Sequence, residues 1–351
     1  MSETPNETAP TQETTFDNYG AGLFAKITKR SDIALALAVV AILAVLILPM
    51  PTWLLDLSLG ISIAFSVLIM MTVLFINKPL DFNAFPMILL IATMLRLSLN
   101  LASTRLILAD GHTGTDAAGQ VIQAFGQFMM SGNPVIGVIV FSILIIVNFI
   151  VITKGSGRIA EVSARFSLDA MPGKQMAIDA DLSSGLISED EARKRREELS
   201  SESTFFGAMD GASKFVRGDA VAAILILLIN LVGGLTIGML QLDLSFDEAT
   251  RAYILLTIGD GLVATIPALV LSLATAIIVA RVTTDESAPE QATKQLGNPL
   301  AFGLAGGTLT ITGLIPGMPN AVFLSLGLTA IGLAYSLKRM GAKKLEQEAR
   351  D

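Results

Sequence analysis

The sequence has no cysteine and a single histidine, His112, among its 351 residues. The first absence excludes disulfides, thiolate nucleophiles and thiolate metal sites, and the second excludes a histidine cluster. Neither identifies a redox compartment. Charge is scarce as well: 16% of residues are Asp, Glu, Lys or Arg, against about 25% in an ordinary soluble protein. The net charge of −7 comes from an acidic start and from the loops, so no basic face for nucleic acid is expected. Lys174 follows Gly173, but Gln175 stands where a phosphate-binding loop needs Ser or Thr, and no glycine lies five residues before Gly173. ATP hydrolysis is therefore not expected, and no other enzyme chemistry is. Gly155 and Gly157 lack the strand and third glycine of a dinucleotide site and read as a flexible exit from an apolar run.

What the chain has in quantity is hydrophobic residues, 52% of the total. They gather into eight runs: Ile33 to Leu48, Leu54 to Ile76, Pro86 to Leu108, Pro134 to Thr153, Ala220 to Leu240, Ile254 to Val279, Leu300 to Ile315 and Ala321 to Leu337. Crossing a hydrocarbon layer about 30 Å thick takes about 20 apolar residues. The expected fold is an all-α, polytopic membrane helix bundle of about eight transmembrane helices. The first run is no signal peptide, because Pro49, Met50 and Pro51 follow it instead of a small-residue cleavage site.

Around these runs, residues 1–21 hold Glu3, Glu7, Glu13 and Asp17 with no basic residue and are expected to be disordered. Residues 22–153 are read as four spans with a lead-in of Leu23, Phe24 and Ile27 among Lys26, Lys29 and Arg30, either an amphipathic surface segment or an ordinary basic flank. Ahead of span four, Ala117 to Ser131 carries Gln120, Gln123 and Gln127 and is expected to lie along the interface or to re-enter. Residues 154–219 form a polar cytoplasmic insertion, 220–337 four more spans, and 338–351 the start of a cytoplasmic linker. In the insertion Pro172 and Gly173 mark a turn, and Ser188 with Glu191 makes a capping box ahead of a charged helix. That helix's basic run, Arg193 to Arg196, reads first as a solvated face and second as a docking site. Sidedness follows from basic residues: 21 of the 24 Lys and Arg fall on connections that an inside N-terminus makes cytoplasmic, and only Arg251 falls outside. Both ends are expected in the cytoplasm.

Ionisable groups within spans cost at least about 2.5 kcal/mol at the helix centre, so each asks for a function. Arg96 and Arg105 share span three, nine residues apart and on nearly opposite faces. Asn100, Ser103 and Thr104 on the same helix suit it to protein or water rather than lipid. Asp260 lies between Gly259 and Gly261, which let a neighbouring backbone come close. Pro267 is expected to bend that helix. Asp56, near the start of span two, reads as snorkelling to the interface. Lys214 and Asp219, at the entry to span five, read equally as positive-inside anchors with an N-cap aspartate. The pairs Gly234 and Gly238, Gly303 and Gly307, and Gly313 and Gly317 suit close helix packing.

Four runs taken together carry a resemblance: Arg96-Leu-Ser-Leu-Asn-Leu-Ala-Ser-Thr-Arg-Leu-Ile-Leu108, Met171-Pro-Gly-Lys-Gln-Met-Ala-Ile-Asp-Ala-Asp181, Met209-Asp-Gly-Ala-Ser-Lys-Phe-Val-Arg-Gly-Asp219 and Thr257-Ile-Gly-Asp-Gly-Leu-Val263. They resemble the type III secretion export gate family, from about residue 33 to the last span. Gly111-His-Thr-Gly-Thr-Asp-Ala-Ala-Gly119, with Ala102-Ser-Thr-Arg105, resembles the flagellar branch more than the virulence injectisome branch. The resemblance implies an inner-membrane gate at the flagellar basal body that uses proton motive force to help export unfolded subunits. It implies a nonameric ring of the chain with itself, beside the other export-gate membrane proteins (FlhB and the FliP, FliQ and FliR channel) and the export ATPase complex, in membrane lipid and without nucleic acid. No cofactor is implied beyond H+ or Na+ as coupling ion, and no metal. The family's coupling positions fall on Arg105, Lys214, Asp219 and Asp260, and Arg158 and Arg165 match with a vaguer role. Members continue into a large cytoplasmic domain, whereas this chain stops at Asp351, so substrate docking is not expected of it.

The leading hypothesis is a gate in which Asp219 and Asp260 change protonation as protons cross. A small-solute secondary transporter and a passive ring scaffold are the other hypotheses. The two four-span halves show no internal similarity, which counts against the transporter.

Overall fold

The computed structural model describes residues 31–130, 132–281, 297–315 and 319–348. The acidic tail, the basic lead-in, Lys294, Gly317 and Arg350 lie outside the described residues. Among those described there is no strand. The chain is a succession of helices: α1 Ser31–Ile47, α2 Thr52–Phe75, α3 Phe85–Asp110, α4 Gln120–Met130, α5 Pro134–Ile146, α6 Lys154–Ser183, α7 Glu189–Leu240, α8 Phe246–Ala280, α9 Pro299–Gly313 and α10 Asn320–Glu348. Between α5 and α6 the backbone stays helical but widens to a π-helix over Val147–Thr153, so that 134–183 is one rod. Among the described residues six helices are long and apolar enough to cross a membrane: α2, α3, the α5 to α6 rod, α7, α8 and the Asn320–Arg339 part of α10. Over the first and seventh expected spans, α1 has 17 residues and α9 has 15, fewer than the roughly 20 that a perpendicular crossing takes.

Two expected breaks are not there. Pro172 and Gly173 lie inside α6, not at a turn. A helix-interior proline costs about 3 kcal/mol, but here packing against α7 holds both sides of it. Ile178 is buried with Ala192 and Leu199, and Met171, Leu182 and Ile187 pack around them. Gly155 and Gly157 likewise belong to α6 and make no flexible exit. The turn comes instead at Gly185, whose φ of +72° suits glycine. There Leu186 N–H reaches Asp181 O at 2.9 Å and Gly185 N–H reaches Leu182 O at 3.1 Å, the paired bonds of a Schellman cap. On the other side Ser188 Oγ accepts from Glu191 N–H at 3.2 Å and opens α7. The Glu191 carboxylate turns to Arg195 at 3.1 Å. Lys174 with Glu202, Asp179 with Arg196 and Asp181 with Arg195 then stitch the antiparallel pair.

The chain forms two compact units. The first takes residues up to Ser62, Ile91–Ser142 and Ala222–Ala264; the second takes Ile63–Leu90, Ile143–Val221 and the residues from Thr265 onward. In the first, close approaches occur where glycines are. The fully buried Tyr253 ring lies against Gly111, Gly234 and Gly238, where a Cβ on Gly234 would stand 2.5 Å from it. In the second, α9 and α10 cross at Gly306, where a Cβ would come 2.8 Å from Gly327 O. Of the expected pair, Gly303 is in ordinary contact with α10, a Cβ there standing 3.9 Å from Ala334, while nothing lies within 4 Å of a Cβ on Gly307. Asn298 caps α9 by accepting from Leu300 N–H at 2.9 Å.

Candidate functional site

In the first unit, α3, α7 and α8 meet at a buried polar cluster. Asp260 of α8 is 6% exposed and Asn230 of α7 is fully buried. The Asn230 Nδ2 amide donates to Asp260 Oδ2 at 3.4 Å and to Thr104 Oγ1 of α3 at 3.2 Å. Ser103 is a second hydrogen-bonding neighbour of the carboxylate, its one hydroxyl proton shared between that carboxylate and Asn100 O, which lies at 3.0 Å. The partners named for this carboxylate are thus neutral. Arg96, on the same helix as Thr104, is buried at 3%. Asn230 escaped the sequence reading because it is uncharged; its signal is a lone amide in the apolar run Ala222 to Leu231.

Two glycines flank Asp260 in α8, and both are in close contact with neighbouring helices. A Cβ on Gly259 would run into the Ile122 carbonyl of α4, and one on Gly261 would meet the Phe141 ring of α5 and stand 2.9 Å from Leu227 Cδ1. The backbone of α4 therefore lies directly on α8. Helix α4 is held there by Asp56 of α2, whose Oδ2 accepts from Gln120 N–H at 2.9 Å and whose Oδ1 accepts from Val121 N–H at 3.0 Å. Gly119, at φ +104°, lets this carboxylate sit so close. The reading of Asp56 as a snorkelling side chain is thereby corrected. It is a half-buried cap on the N-terminus of another helix, where free N–H groups and the helix dipole favour an anion.

Arg105 is turned outward, opposite the buried Arg96, as their spacing predicted. Its Nη1 donates to Ile47 O at 3.1 Å. Ile47 is the last residue of α1, so a cation serves one of that helix's unsatisfied carbonyls.

In the second unit, Asp219 lies in the interior of α7, 2% exposed, with both carboxylate oxygens buried. The N-cap reading is corrected, since α7 begins thirty residues earlier at Glu189. Lys214 is exposed and bonds to Asp210 at 2.7 Å, one turn before it. Arg158 and Arg165 are exposed on α6 and flank one carboxylate, Glu161, at 3.0 and 3.9 Å. No group of three or more His, Cys, Asp or Glu that could hold a metal occurs among the described residues.

Comparison with known proteins gives a consistent result. A family model described as the FHIPEP family matches residues 42–351. "Flagellar biosynthesis protein FlhA" of Salmonella typhimurium is 54% identical over 323 residues, 92% of this chain and 47% of that protein. Its namesake in Caulobacter vibrioides is 57% identical over 307 residues, 87% of this chain and 44% of its own length. That of Escherichia coli is 55% identical over 314 residues, 89% and 45%. The chain spans about half the length of the curated relatives it matches. No solved structure matches it.

Proposed function

The chain belongs to the FHIPEP family, and from that premise we propose that it is a membrane component of the flagellar type III export gate, coupling proton motive force to the export of flagellar subunits. The observation that carries this is Asp260: an ionisable group enclosed in a helix able to cross a membrane, with neutral partners in Asn230 and Ser103. A carboxylate so enclosed is costly as an ion and is best accounted for by a proton or ion path. Asp219, also buried, is the second coupling carboxylate. The names of the relatives support the flagellar branch over the injectisome branch.

In this reading H+, or Na+ in its place, is the coupling ion, and the chain sits in the bacterial inner membrane as a nine-membered ring with both ends in the cytoplasm. Its neighbours are the other gate membrane proteins and the export ATPase complex. The polar insertion of residues 154–219 faces the cytoplasm and responds to the protonation of Asp219 and Asp260. Lys214 and Arg105 assist, with Arg158 and Arg165 at the insertion. The test is export of flagellin by Asp219→Asn and Asp260→Asn chains that insert at normal abundance. Export in both is expected to fall at least tenfold, and wild-type rates would overturn the proposal.

A further inference from the structure

We propose that Asn230 is an amide rotor that reads the protonation of Asp260 and passes it to α3 through Thr104. The proposal rests on the reading of Asp260 as a coupling carboxylate. Its ground is the pairing pattern of one side chain. Both hydrogen bonds of Asn230 leave from Nδ2, at 3.2 and 3.4 Å, while its Oδ1 is buried with no partner among the described residues. An amide in that setting has two usable orientations.

With Asp260 ionised, the carboxylate only accepts, and Nδ2 is the end that fits it. With Asp260 protonated, the acid gains an O–H donor. Rotating the amide by half a turn then brings Oδ1 to the same place, where its two lone pairs accept from the acid and from the Thr104 hydroxyl. Thr104 is the right residue for this, since a hydroxyl can accept in one state and donate in the other. Each state pairs one end of the amide and leaves the other unpaired, so neither orientation is locked. At 3.2 Å the bond to Thr104 is at the long end of the usual range and at 3.4 Å the bond to Asp260 is beyond it, so rotation breaks no tight contact. The proton on Asp260 thereby decides whether Thr104 accepts or donates, and Thr104 lies in the interior of α3.

Charged groups do not compete for this role. Helix α4 carries none, nor do the parts of α5 and α7 in this unit. On α3, Arg105 goes to the Ile47 carbonyl, Arg96 lies eight residues, about 12 Å along the helix, from Thr104, and Asp110 is exposed at the helix's last residue. Between Arg251 and the end of the unit at Ala264, α8 carries one carboxylate, Asp260, and no basic group; its other titratable side chain there, the Tyr253 phenol, lies against Gly111, Gly234 and Gly238, two turns before Asp260.

The test uses the intact chain reconstituted in lipid bilayers and read by infrared difference spectroscopy between acidic and alkaline pH. A carboxyl band that disappears in Asp260→Asn and a side-chain amide band that disappears in both Asn230→Leu and Asp260→Asn are expected. An amide band missing from the wild type, or surviving in Asp260→Asn, overturns the rotor. In flagellated cells, Thr104→Val, which keeps the shape but can neither donate nor accept, is expected to lower export about tenfold. Thr104→Ser, which keeps the hydroxyl, is expected to stay within about twofold of wild type. Equal export by the two at matched abundance overturns the role of Thr104. Normal export by Asp260→Asn would instead sink the coupling reading, and the infrared result would still decide the rotor.

Discussion

Gly259→Ala adds one methyl group where α8 meets the backbone of α4. The new Cβ would collide with the Ile122 carbonyl oxygen and stand 3.0 Å from its carbon and 3.1 Å from Gly126 N. These are main-chain atoms of a helix, so no rotamer change can clear the space. Inserting a methyl group into a packed interior costs about 1–3 kcal/mol. At about 2 kcal/mol the folded-to-unfolded ratio falls roughly thirtyfold. Gly211 is the control: it too lies inside a helix, but nothing is within 4 Å of a Cβ there. Gly211→Ala is expected to be neutral or stabilising by up to about 1 kcal/mol, since alanine is the better helix former. Thermal unfolding of the two purified variants in detergent, at matched pH and lipid content, reads the difference as a midpoint several degrees lower for Gly259→Ala. Faster amide hydrogen exchange within α4 should accompany it. Indistinguishable midpoints would refute the claim that backbone contact with α4 is why a glycine stands at 259.

Asp56→Ala removes the acceptor of two N–H groups at the start of α4. A lost cap costs about 1 kcal/mol, so exchange at Gln120 and Val121 should quicken about fivefold, with Asp56→Asn showing a smaller change. Arg281, just past α8, donates to the carbonyls of Ile76, Val73 and Leu74 at the end of α2. Arg281→Lys should loosen that last turn, because a single ammonium cannot reproduce the guanidinium fork; unchanged exchange there would count against the clasp. A double-mutant cycle on Lys174 and Glu202, paired at 2.8 Å but partly exposed, should give about 0.2–1 kcal/mol, less in high salt.

The helices were legible because apolar runs of this length have few other uses, and 21 basic residues falling on alternate connections set the reading of sidedness. Their limits were not legible. Pro172 reads locally as a turn, and what overrides it is contact with a helix that begins 17 residues later at Glu189. The apparent start of a span at Ala220 is a change of hydropathy inside one 52-residue helix, not a change of backbone. The π-helix at Val147–Thr153 has no local signal, since Val-Asn-Phe-Ile-Val-Ile-Thr would serve an α-helix equally well. Crossing glycines were found where the contacting ring or backbone is large, as at Gly234 and Gly238, and only half found in α9, where Gly303 touches Ala334 but the closest approach to α10 is at Gly306, one residue before Gly307.

Charges within and beside the spans meet different surroundings in the structure. Asp56 and Arg105 each serve the end of a helix far along the chain, the first an N-terminus and the second a C-terminus. A helix end carries a partial charge and unsatisfied groups, so an ion of opposite sign there is stabilising. Asp260 serves no helix end. Its flanking glycines set the helix packing beside it: Gly259 admits the backbone of α4 and Gly261 the Phe141 ring, while Asp260 itself, 6% exposed, meets the amide of Asn230 and the hydroxyl of Ser103. A bulkier residue at either glycine would separate the helices and let water reach the carboxylate. The Gly259→Ala chain should therefore move the Asp260 infrared carboxyl band toward that of a hydrated acid as well as lose stability. A coupling carboxylate beside which glycines set the helix packing would fail in both respects at once, whereas one that only filled space would lose stability alone.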